Sequence, residues 1–443
     1  MIKLNKIYEN SPIWLQNLMC FVKGEQIRRR RFGKGFFRDL LAMNSCQIKI
    51  EKELNDFLTA IENIPAYKSV YEKVHKEGRI IPQIDEFPVI NKQYVKEHYD
   101  DFLNKSFKGR TVMMHTGGTT GSGLVFPHSV DFENRQWATW WRYRENLGIK
   151  YGTWSAVFSS AHLVVPMKQR KAPYWRVNKP MRQLICSPYH LSKETVADYL
   201  REIERRGIYW IQGYASNIRF LCNVAYEIGL KPMDSIRFVT TGGENLVPAC
   251  VEDIHRFFPN ALIRTHYGQT EGVANFSMTK EGKWVIDDDM AYMELIPVDP
   301  KEPNRCYIVG TSYANLAFPL VRYNMGDIAY VEWKDGKPEI KYVEGRDNEY
   351  FVLADGTKIG CLRAYDIFKE SMNVVESQIR LKAPDHIELV VVKGQNYKDK
   401  DEKEILREAR KYFSEIINVS IRYVDKVERA KNGKFKVLVS EVE

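Results

Sequence analysis

The chain has 443 residues, of which 44% are hydrophobic and 28% charged, and a net charge of +9. This composition is ordinary for a globular protein of roughly two to three domains, and no apolar run approaches the about 20 residues of a membrane span. The positive charge is spread over 66 Lys and Arg, so it favours a solvated surface over a nucleic-acid partner. The scattered cysteines form no C-x-x-C pair, so no structural zinc is predicted. The N-terminal segment has no secretory-signal pattern, and the cysteines are therefore predicted to be reduced thiols in the cytoplasm.

Residues 1–75 are predicted to be helical. Ser11 and Pro12 are typical of a helix start, and they precede a dense apolar face that contains Ile13, Trp14, Leu15, Leu18, Met19, Phe21 and Val22. An arginine-rich segment with flanking aromatic residues, RRRRFGKGFF, follows. Two interpretations stay open: residues 11–40 make a weak peripheral contact with anionic lipid, or they form a packed helix with a solvated arginine face.

From about residue 110 to about 345, short β-rich runs alternate with helical stretches. The β-rich runs are TWSAVFSS, IYWIQGY, SIRFVTTGGE and ALIRTHYG. One of the helices is predicted to start at Ser192, as its N-cap, and to stop at Gly207. Strands that alternate with helices predict parallel α/β layers.

The pattern changes after about residue 346. The segments IELVVV, SIRYVDKV and FKVLVSEV are predicted strands, and EKEILREARKYFSEII is a predicted helix. The sequence therefore predicts an α/β protein with a large N-terminal domain of layered subdomains, residues 1–345, and a small C-terminal α+β domain, residues 346–443.

The segment HTGGTTGSG, His115 to Gly123, is typical of a phosphate-binding loop. Glycines let backbone N–H groups turn toward an anion, and threonine and serine hydroxyls add donors. Neither common pattern is met, because Leu124 replaces the lysine of a Walker loop and Phe126 replaces the last glycine of a dinucleotide fingerprint. The alternative interpretation is a flexible Gly/Thr surface loop.

Polar groups follow several later predicted strands. The segments are TTGGENL (240–246), THYGQTEG (265–272), RYNMGDIA (322–329) and EGRDNEYFVLADGTKIG (344–360). Strand ends with polar groups are where α/β sheets bind ligands. In this order and at these separations, the segments resemble the motifs of the adenylate-forming superfamily, which includes acyl-CoA synthetases, luciferases and the adenylation domains of peptide synthetases.

The resemblance covers about residues 60–436. Its phosphate-loop pattern T-[SG]-G-[ST]-T-G is met by 116–121, its Y-G-x-T-E by 267–271, its G-D by 326–327 and its G-R hinge by 345–346. Within the superfamily, the chain looks most like the phenylacetate–CoA ligase-like branch, because no lysine follows the phosphate loop and because of the GGE segment. The segment IYENSPIWLQNLMCFVKG resembles members found with capsule and other surface-polysaccharide genes.

The resemblance implies that a carboxylate attacks the α-phosphorus of ATP, which releases pyrophosphate and leaves an acyl-adenylate. An acceptor, most simply CoA, then takes the acyl group. Positioning and charge neutralisation dominate such phosphoryl chemistry.

The implied nucleotide ligands follow from the matched positions. The β- and γ-phosphates would contact Thr116, Gly117, Gly118, Thr119, Thr120 and Gly121. Tyr267 would stack on adenine beside Gly243 and Glu244, in a segment that also contains Gly268 and Gln269. Thr270 would bind the α-phosphate and Glu271 would bind Mg²⁺. Asp327 would accept both ribose hydroxyls, with help from Arg346.

The resemblance also implies a catalytic lysine near the C-terminus and a hinge. Lys434, in ERAKNGKFKV, is the expected catalytic lysine, with Lys431 and Lys436 as rivals. A point charge on a flexible stem suits a group that arrives with a moving domain. Asp347 resembles the hinge residue. The alternative for this segment is a solvated basic hairpin at Asn432-Gly433.

The acid-binding residues are the least determined. Candidates are His162, Tyr214 and Trp141. Trp137, Trp140, Trp141 and Arg144 repeat at helical spacing, which is more often a core stripe than a ligand site.

Three functions follow. The first is an AMP-forming carboxylate ligase with CoA as acceptor, and the second is adenylation with direct transfer to an amine or sugar acceptor. The third is a non-catalytic nucleotide-binding protein. The acid, the acceptor and the oligomeric state stay open.

Overall fold

The computed structural model describes residues 2–116, 123–159, 164–346, 350–360, 367–368, 373–428 and 435–442. In chain order the α-helices of these ranges are α1 (Ile2–Asn10), α2 (Ile13–Arg31), α3 (Lys34–Asn44), α4 (Ile50–Ala60), α5 (Lys68–Lys76), α6 (Lys92–Glu97), α7 (Tyr99–Phe102), α8 (Val130–Leu147), α9 (Val196–Arg205), α10 (Ala215–Glu227), α11 (Pro248–Phe257) and α12 (Asp399–Arg410).

The strands of the described ranges run from β1 to β21. They are β1 (Ile90–Asn91), β2 (Thr111–His115), β3 (Val125–Ser129), β4 (Ser155–Phe158), β5 (Trp175–Asn178), β6 (Gln183–Cys186), β7 (Trp210–Gly213), β8 (Phe238–Gly242), β9 (Leu262–Gly268), β10 (Asn275–Met278), β11 (Trp284–Ile286), β12 (Ala291–Pro297), β13 (Arg305–Ser312), β14 (Tyr323–Lys334), β15 (Lys337–Arg346), β16 (Tyr350–Val352), β17 (Lys358–Gly360), β18 (Val374–Ala383), β19 (His386–Lys393), β20 (Asn418–Tyr423) and β21 (Leu438–Ser440).

The chain divides into two compact units, each built from separate stretches of sequence. Unit 1 comprises Met1–Val22, Gly152–Arg264 and Glu344–Glu443. Unit 2 comprises Lys23–Tyr151 and Thr265–Val343. The sequence-based division into residues 1–345 and 346–443 remains a prediction.

The predicted N-terminal helices are confirmed, since α1 to α5 occupy most of residues 2–76. The predicted start at Ser11 and Pro12 is nearly right. The carbonyl of Pro12 accepts hydrogen bonds from the backbone N–H groups of Leu15 (2.9 Å) and Gln16 (3.0 Å). The Ser11 hydroxyl does not cap α2 but donates to the carbonyl of Ile7 at 2.7 Å.

The first sheet of unit 1 is the parallel one that the alternating pattern predicts. Strand β4 pairs in parallel with β6 and with β7, β7 pairs in parallel with β8, and β5 adds antiparallel to β6. Helices α9, α10 and α11 bury apolar side chains against this sheet in one continuous core. Burial of this kind stabilises by about 25 cal/mol per Å² of apolar surface.

Helix α9 ends where predicted but starts later. Gly207, with φ +61°, terminates it, as a left-handed residue after a helix commonly does. Ser192 is not its N-cap, because the helix begins at Val196. The Ser192 carbonyl instead accepts from the backbone N–H groups of Thr195 (3.2 Å) and Val196 (3.0 Å), and its hydroxyl donates to Glu194 at 2.5 Å. These bonds form a turn that precedes the helix.

The second sheet of unit 1 confirms the predicted α+β pattern near the C-terminus. Its order is β20-β19-β18-β21, with β18 and β19 antiparallel and the outer pairs parallel. Helix α12 packs Ile405 and Ala409 into the core of this sheet. The side-chain amide of Asn223 in α10 donates to the carbonyl of Val375 in β18 at 3.2 Å, so a helix that packs on the first sheet also contacts the second.

Unit 2 departs from the predicted parallel layers. Strands β12, β13 and β14 are successive antiparallel neighbours, and β15 pairs with β14. The connection from β14 to β15 is Asp335-Gly336, with φ values of +50° and +74°. A two-residue turn with positive φ at both positions fits a hairpin and leaves no room for a crossover helix. The parallel prediction is therefore wrong for this part of the chain.

Helix α8 is held in unit 2 by a cap and by a buried ion-pair network. Ser129 Oγ accepts from the backbone N–H of Phe132 at 3.1 Å, which caps the helix. Glu133 is 3% exposed and accepts from Arg30 at 2.6 Å and Arg31 at 2.7 Å. Burial acts to raise the pKa of the Glu133 carboxyl, but the two arginines outweigh it and hold that pKa below its ordinary value.

Candidate active site

In unit 2, the Y-G-x-T-E segment and the G-D segment meet through a direct hydrogen bond. The Tyr267 hydroxyl donates to Asp327 Oδ2 at 2.5 Å. Burial, followed by the charge of Asp327, raises the pKa of the Tyr267 phenol, so the phenol is a donor at neutral pH. Residues that lie 60 positions apart in sequence thus form one polar pair.

The Tyr267 ring is fixed by the β9–β10 hairpin. Tyr267 and Phe276 are directly opposite in the antiparallel register, and their rings stack at 4.3 Å between centroids with 10° between planes. Cross-strand aromatic pairs of this kind stabilise a hairpin. One face of Tyr267 therefore lies on protein, and a planar ligand would use the opposite face.

The two glycines of YGQTEG are required by close packing against α8. An added Cβ at Gly268 would lie 2.7 Å from Asn275 Oδ1, which accepts a hydrogen bond from the Trp140 indole at 3.0 Å. Gly272 has φ +63°, and an added Cβ would lie 2.0 Å from the Phe132 ring. A side chain at either position would push the turn away from the helix.

The turn between β9 and β10 holds the remaining polar residues of the motif. Gln269 donates to the Tyr267 hydroxyl at 3.2 Å and contacts the Met325 sulfur, while its carbonyl accepts from the Gln136 amide at 3.1 Å. Glu271 is 9% exposed, and its charge also acts to raise the pKa of Tyr267. The predicted residues Tyr267, Gln269, Glu271 and Asp327 are therefore brought together.

His128 supports this turn from β3. Its ring is 1% exposed and lies 5.0 Å from the Phe126 ring and 4.5 Å from the Phe132 ring. Burial lowers the pKa of His128 to about 4, with the charge of Glu133 and the backbone of Thr270 acting in the opposite direction. The residue is therefore neutral near pH 7 and sits beside the Thr270 backbone.

Asp327 owes its placement to an irregularity in β14. The register against β13 shifts between Tyr307 and Val309, opposite the residues around Gly326. Gly326 has φ +78°, and its N–H donates to Asn324 Oδ1 at 2.8 Å. A bulge with a left-handed glycine redirects the following side chain, which here is Asp327.

The predicted phosphate loop begins at the end of an antiparallel strand pair in unit 2. Strands β2 and β3 pair antiparallel. Thr116 is 8% exposed; its N–H donates to the Leu124 carbonyl at 2.9 Å, and its hydroxyl accepts from the Leu124 N–H at 2.9 Å. Gly117, Gly118, Thr119, Thr120 and Gly121 lie outside the described residues.

Two other predicted nucleotide ligands lie in unit 1. Gly243 has φ +76° and follows β8. Glu244 is held at both carboxylate oxygens: Oε2 accepts from the Ser216 N–H at 3.1 Å and Oε1 accepts from the Phe435 N–H at 3.2 Å. The carboxylate therefore links the start of α10 to the residue that follows Lys434.

The other predicted residues are placed as follows. Tyr214 precedes α10 in unit 1, and burial raises its pKa to about 12. Trp141 in α8 is 7% exposed, with its ring 4.9 Å from Tyr151. Arg346 is the last residue of β15. The carbonyl of Lys436 accepts from the Gln378 amide at 2.8 Å. His162, Asp347, Lys431 and Lys434 lie outside the described residues.

The sequence analysis did not identify the residues that pack against the YGQTEG segment or hydrogen-bond to it. Phe276, Asn275, Gln136 and His128 carry no motif of their own, and their roles depend on the hairpin register and on the packing of α8. A signal was available only for the β14–β15 turn, where Asp-Gly is a known hairpin dipeptide.

Within the described ranges, no group of three or more His, Cys, Asp or Glu side chains is placed to hold a metal ion.

Comparison with solved structures gives the class of fold. The chain matches 2-hydroxyisobutyryl-CoA ligase in its postadenylation state with R3-HIB-AMP at a TM-score of 0.65 and 14% identity, over 88% of this chain and 89% of that one. It matches the anthranilate CoA ligase AuaEII in complex with anthranoyl-AMP at a TM-score of 0.51 and 12% identity, over 73% and 65%. The chain therefore has the α/β fold of the adenylate-forming CoA ligases, as the motif resemblance predicted.

Comparison of sequences then gives a particular relative. The chain is 25% identical to Protein CapK of Staphylococcus aureus over 460 aligned positions, which cover 99% of this chain and 100% of that protein. Residues 351–441 match the CapK C-terminal domain family. The similarity extends along the whole chain, including the helical N-terminal part. Placement in the phenylacetate–CoA ligase-like branch remains a prediction.

Proposed function

We propose that this protein is an AMP-forming ligase that activates a carboxylic acid with ATP and transfers the acyl group to CoA. The observation that carries the proposal is the hydrogen bond between Tyr267 and Asp327. It joins two of the motifs that the family resemblance assigns to one nucleotide. The fold, which is similar to that of ligases solved with acyl-AMP compounds, supports the same conclusion.

In the proposed nucleotide site, Tyr267 and Asp327 bind the adenosine. Adenine stacks on the face of Tyr267 opposite Phe276. Asp327 keeps one oxygen on the Tyr267 hydroxyl, and its remaining acceptor positions take the ribose hydroxyls, because a carboxylate has about four lone-pair sites. Thr270 donates to the α-phosphate, and the loop 116–121 wraps the β- and γ-phosphates.

Glu271 is the residue that fits a magnesium ion. Mg²⁺ is usually held by one or two carboxylates together with substrate phosphates, so a single buried carboxylate beside a phosphate site suffices. Bound Mg²⁺ would neutralise charge on the phosphates. This role does not call for a dedicated cluster of protein ligands.

Lys434 is the proposed catalytic lysine, which would contact the substrate carboxylate and the α-phosphate. Its neighbour Phe435 is tied to Glu244 by a 3.2 Å hydrogen bond within unit 1. We propose that Glu244 thereby positions the segment that carries Lys434. Asp347 is the proposed hinge, and Arg346 assists at the ribose.

The acceptor distinguishes two versions of the reaction. CoA is the leading acceptor, because the structurally similar enzymes are named CoA ligases. Transfer to an amine or hydroxyl of a surface-polysaccharide precursor is the alternative, and it rests on the N-terminal resemblance. We propose a cytoplasmic reaction, because ATP and CoA are the proposed substrates and the scattered cysteines are predicted to be reduced thiols.

The test is ATP–pyrophosphate exchange with a panel of aromatic, aliphatic, amino and sugar acids. We expect exchange with at least one acid, a higher KM for ATP in Asp327→Ala, and wild-type exchange in the exposed control Asp100→Ala. Product analysis with and without CoA then separates the two acceptors. ATP binding without exchange for any acid would contradict the proposal and favour a non-catalytic nucleotide-binding protein.

A further inference from the structure

Helix α2 presents large apolar side chains to solvent along one face. Trp14 is 68% exposed, Leu18 50%, Phe21 43% and Val22 50%. Their spacing of four, three and one residues places them on one side of an α-helix. We call these four residues the α2 apolar face. Contiguous exposed apolar surface on this scale marks an interaction site more often than scattered single residues do.

On the opposite side of α2, the buried residue is the polar Gln16, between the half-buried Met19 and Cys20. Gln16 is 2% exposed; its amide donates to the carbonyls of Tyr8 (3.0 Å) and Ser11 (2.9 Å), and its side-chain oxygen accepts from Arg176. Asn17 Oδ1 accepts from the backbone N–H of Val177 at 3.0 Å. An amphipathic helix normally buries its apolar stripe. Here hydrogen bonds of Gln16 and Asn17 help to attach the helix, and the four side chains of the α2 apolar face stay exposed.

The charge around this helix identifies the chemistry of the occupant. The first 40 residues contain nine Lys and Arg against three Asp and Glu, a local charge of +6 that Glu133, paired with Arg30 and Arg31, reduces to +5. Lys23 is exposed, and the Arg29 side chain is 77% exposed. Glu25, the acidic residue between them, is already paired with Arg28 at 2.8 Å and Arg29 at 2.7 Å.

Helix α3, described separately in unit 2, has the same combination. Phe37 is 50% exposed and Leu41 67%, and the exposed basic residues Lys34 and Arg38 flank them on the same helical face. Each of the two helices thus exposes apolar residues together with basic side chains, of which Arg38 is paired with Asp39 at 2.8 Å. A second copy of this chain would bring the same positive charge to the contact, so self-association is electrostatically disfavoured.

We propose that the α2 apolar face docks on the surface of a bilayer that contains anionic lipids. The four apolar side chains enter the boundary between headgroups and acyl chains, and the basic side chains stay among the phosphate groups. No helix in the described part of the chain is long and apolar enough to cross a membrane. The contact is interfacial, because one side of α2 meets the lipid while hydrogen bonds of Gln16 and Asn17 hold the helix on the protein.

The test is sedimentation of the full-length protein with vesicles of phosphatidylcholine alone or mixed with phosphatidylglycerol. We expect binding to the mixed vesicles, weaker binding at high salt, and about tenfold or greater weakening in Trp14→Ser/Leu18→Ser/Phe21→Ser. The matched control replaces three apolar residues that are equally exposed elsewhere, Ile80→Ser/Val285→Ser/Ile416→Ser, and should bind like wild type.

A second measurement covers the case in which the triple variant fails to fold. Brominated lipid should quench the fluorescence of wild-type protein more than that of Trp14→Phe. The proposal is overturned if the protein does not bind the anionic vesicles, or if the control variant loses binding as much as the α2 variant. It is also overturned if light scattering shows a dimer that the α2 variant dissociates while vesicle binding is absent.

Discussion

The hydrogen bond from Tyr267 to Asp327 gives the sharpest prediction for the nucleotide site. Tyr267→Phe removes the hydroxyl but keeps the ring and its 4.3 Å stacking on Phe276. Asp327→Ala removes the acceptor at 2.5 Å. Because hydrogen bonds to charged groups contribute about 1.5–3 kcal/mol, a double-mutant cycle should give a coupling free energy in that range.

The assay is urea unfolding followed by intrinsic fluorescence, with the free energy taken from the transition that both single variants shift. Tyr94→Phe, at an exposed tyrosine of the same unit, is the control and should not couple to Asp327→Ala. Independent sites usually add within about 0.3–0.5 kcal/mol. A coupling no larger than that would refute the claim that the two motifs are joined in solution.

Four further predictions follow. Lys434→Ala should depress acyl-adenylate formation by orders of magnitude yet spare transfer from a supplied adenylate; intact pyrophosphate release would reject this lysine. Asp327→Ala should weaken ATP binding by about 1.5–3 kcal/mol, measured by calorimetry. Glu133→Gln should lower the free energy of unfolding by about 3 kcal/mol near pH 7. The pKa of Glu133 in the folded protein lies below its ordinary value of 4.5, so this difference should shrink as pH falls below 4.5. A pH-independent difference would contradict the pairing. His128→Phe should gain stability relative to wild type as pH falls from 6.5 toward 4. The pKa of His128 in the folded protein is lowered to about 4, so over this range protonation of His128 favours the unfolded wild-type chain. Thermal melts across that range check this, and parallel plots of Tm against pH for the two proteins would count against the buried neutral ring.

The sequence predicted the motif residues that lie at strand ends and in turns. Tyr267 and Asp327 could be assigned to one nucleotide because the spacing and order of the motifs matched a known family, although their hydrogen bond to each other was not predicted. The structure adds the cause of their proximity, which is the bulge at Gly326 and the register that sets Tyr267 opposite Phe276. Neither follows from local residue preferences, because both depend on which strands pair.

Two errors in the sequence analysis have local physical reasons. The parallel prediction failed for β12 to β15. Asp335-Gly336 closes a hairpin between β14 and β15, and its Asp-Gly dipeptide is a hairpin signal that the prediction of alternating strands and helices did not use. Ser192 was a reasonable N-cap, but a turn at Ser192–Thr195 delays the start of α9 to Val196. The exposure of Trp14, Leu18 and Phe21 was also beyond prediction, because it depends on the long-range hydrogen bonds by which Gln16 and Asn17 attach α2 to unit 1.

The most direct test of the central claim is a crystal structure of the full chain with ATP and Mg²⁺. We predict that one nucleotide will stack its adenine on Tyr267, place its ribose hydroxyls on Asp327, and extend its phosphates to Thr270 and the loop that begins at Thr116. A nucleotide bound away from Tyr267 and Asp327, or one that touches only one of the motifs, would contradict the proposed site.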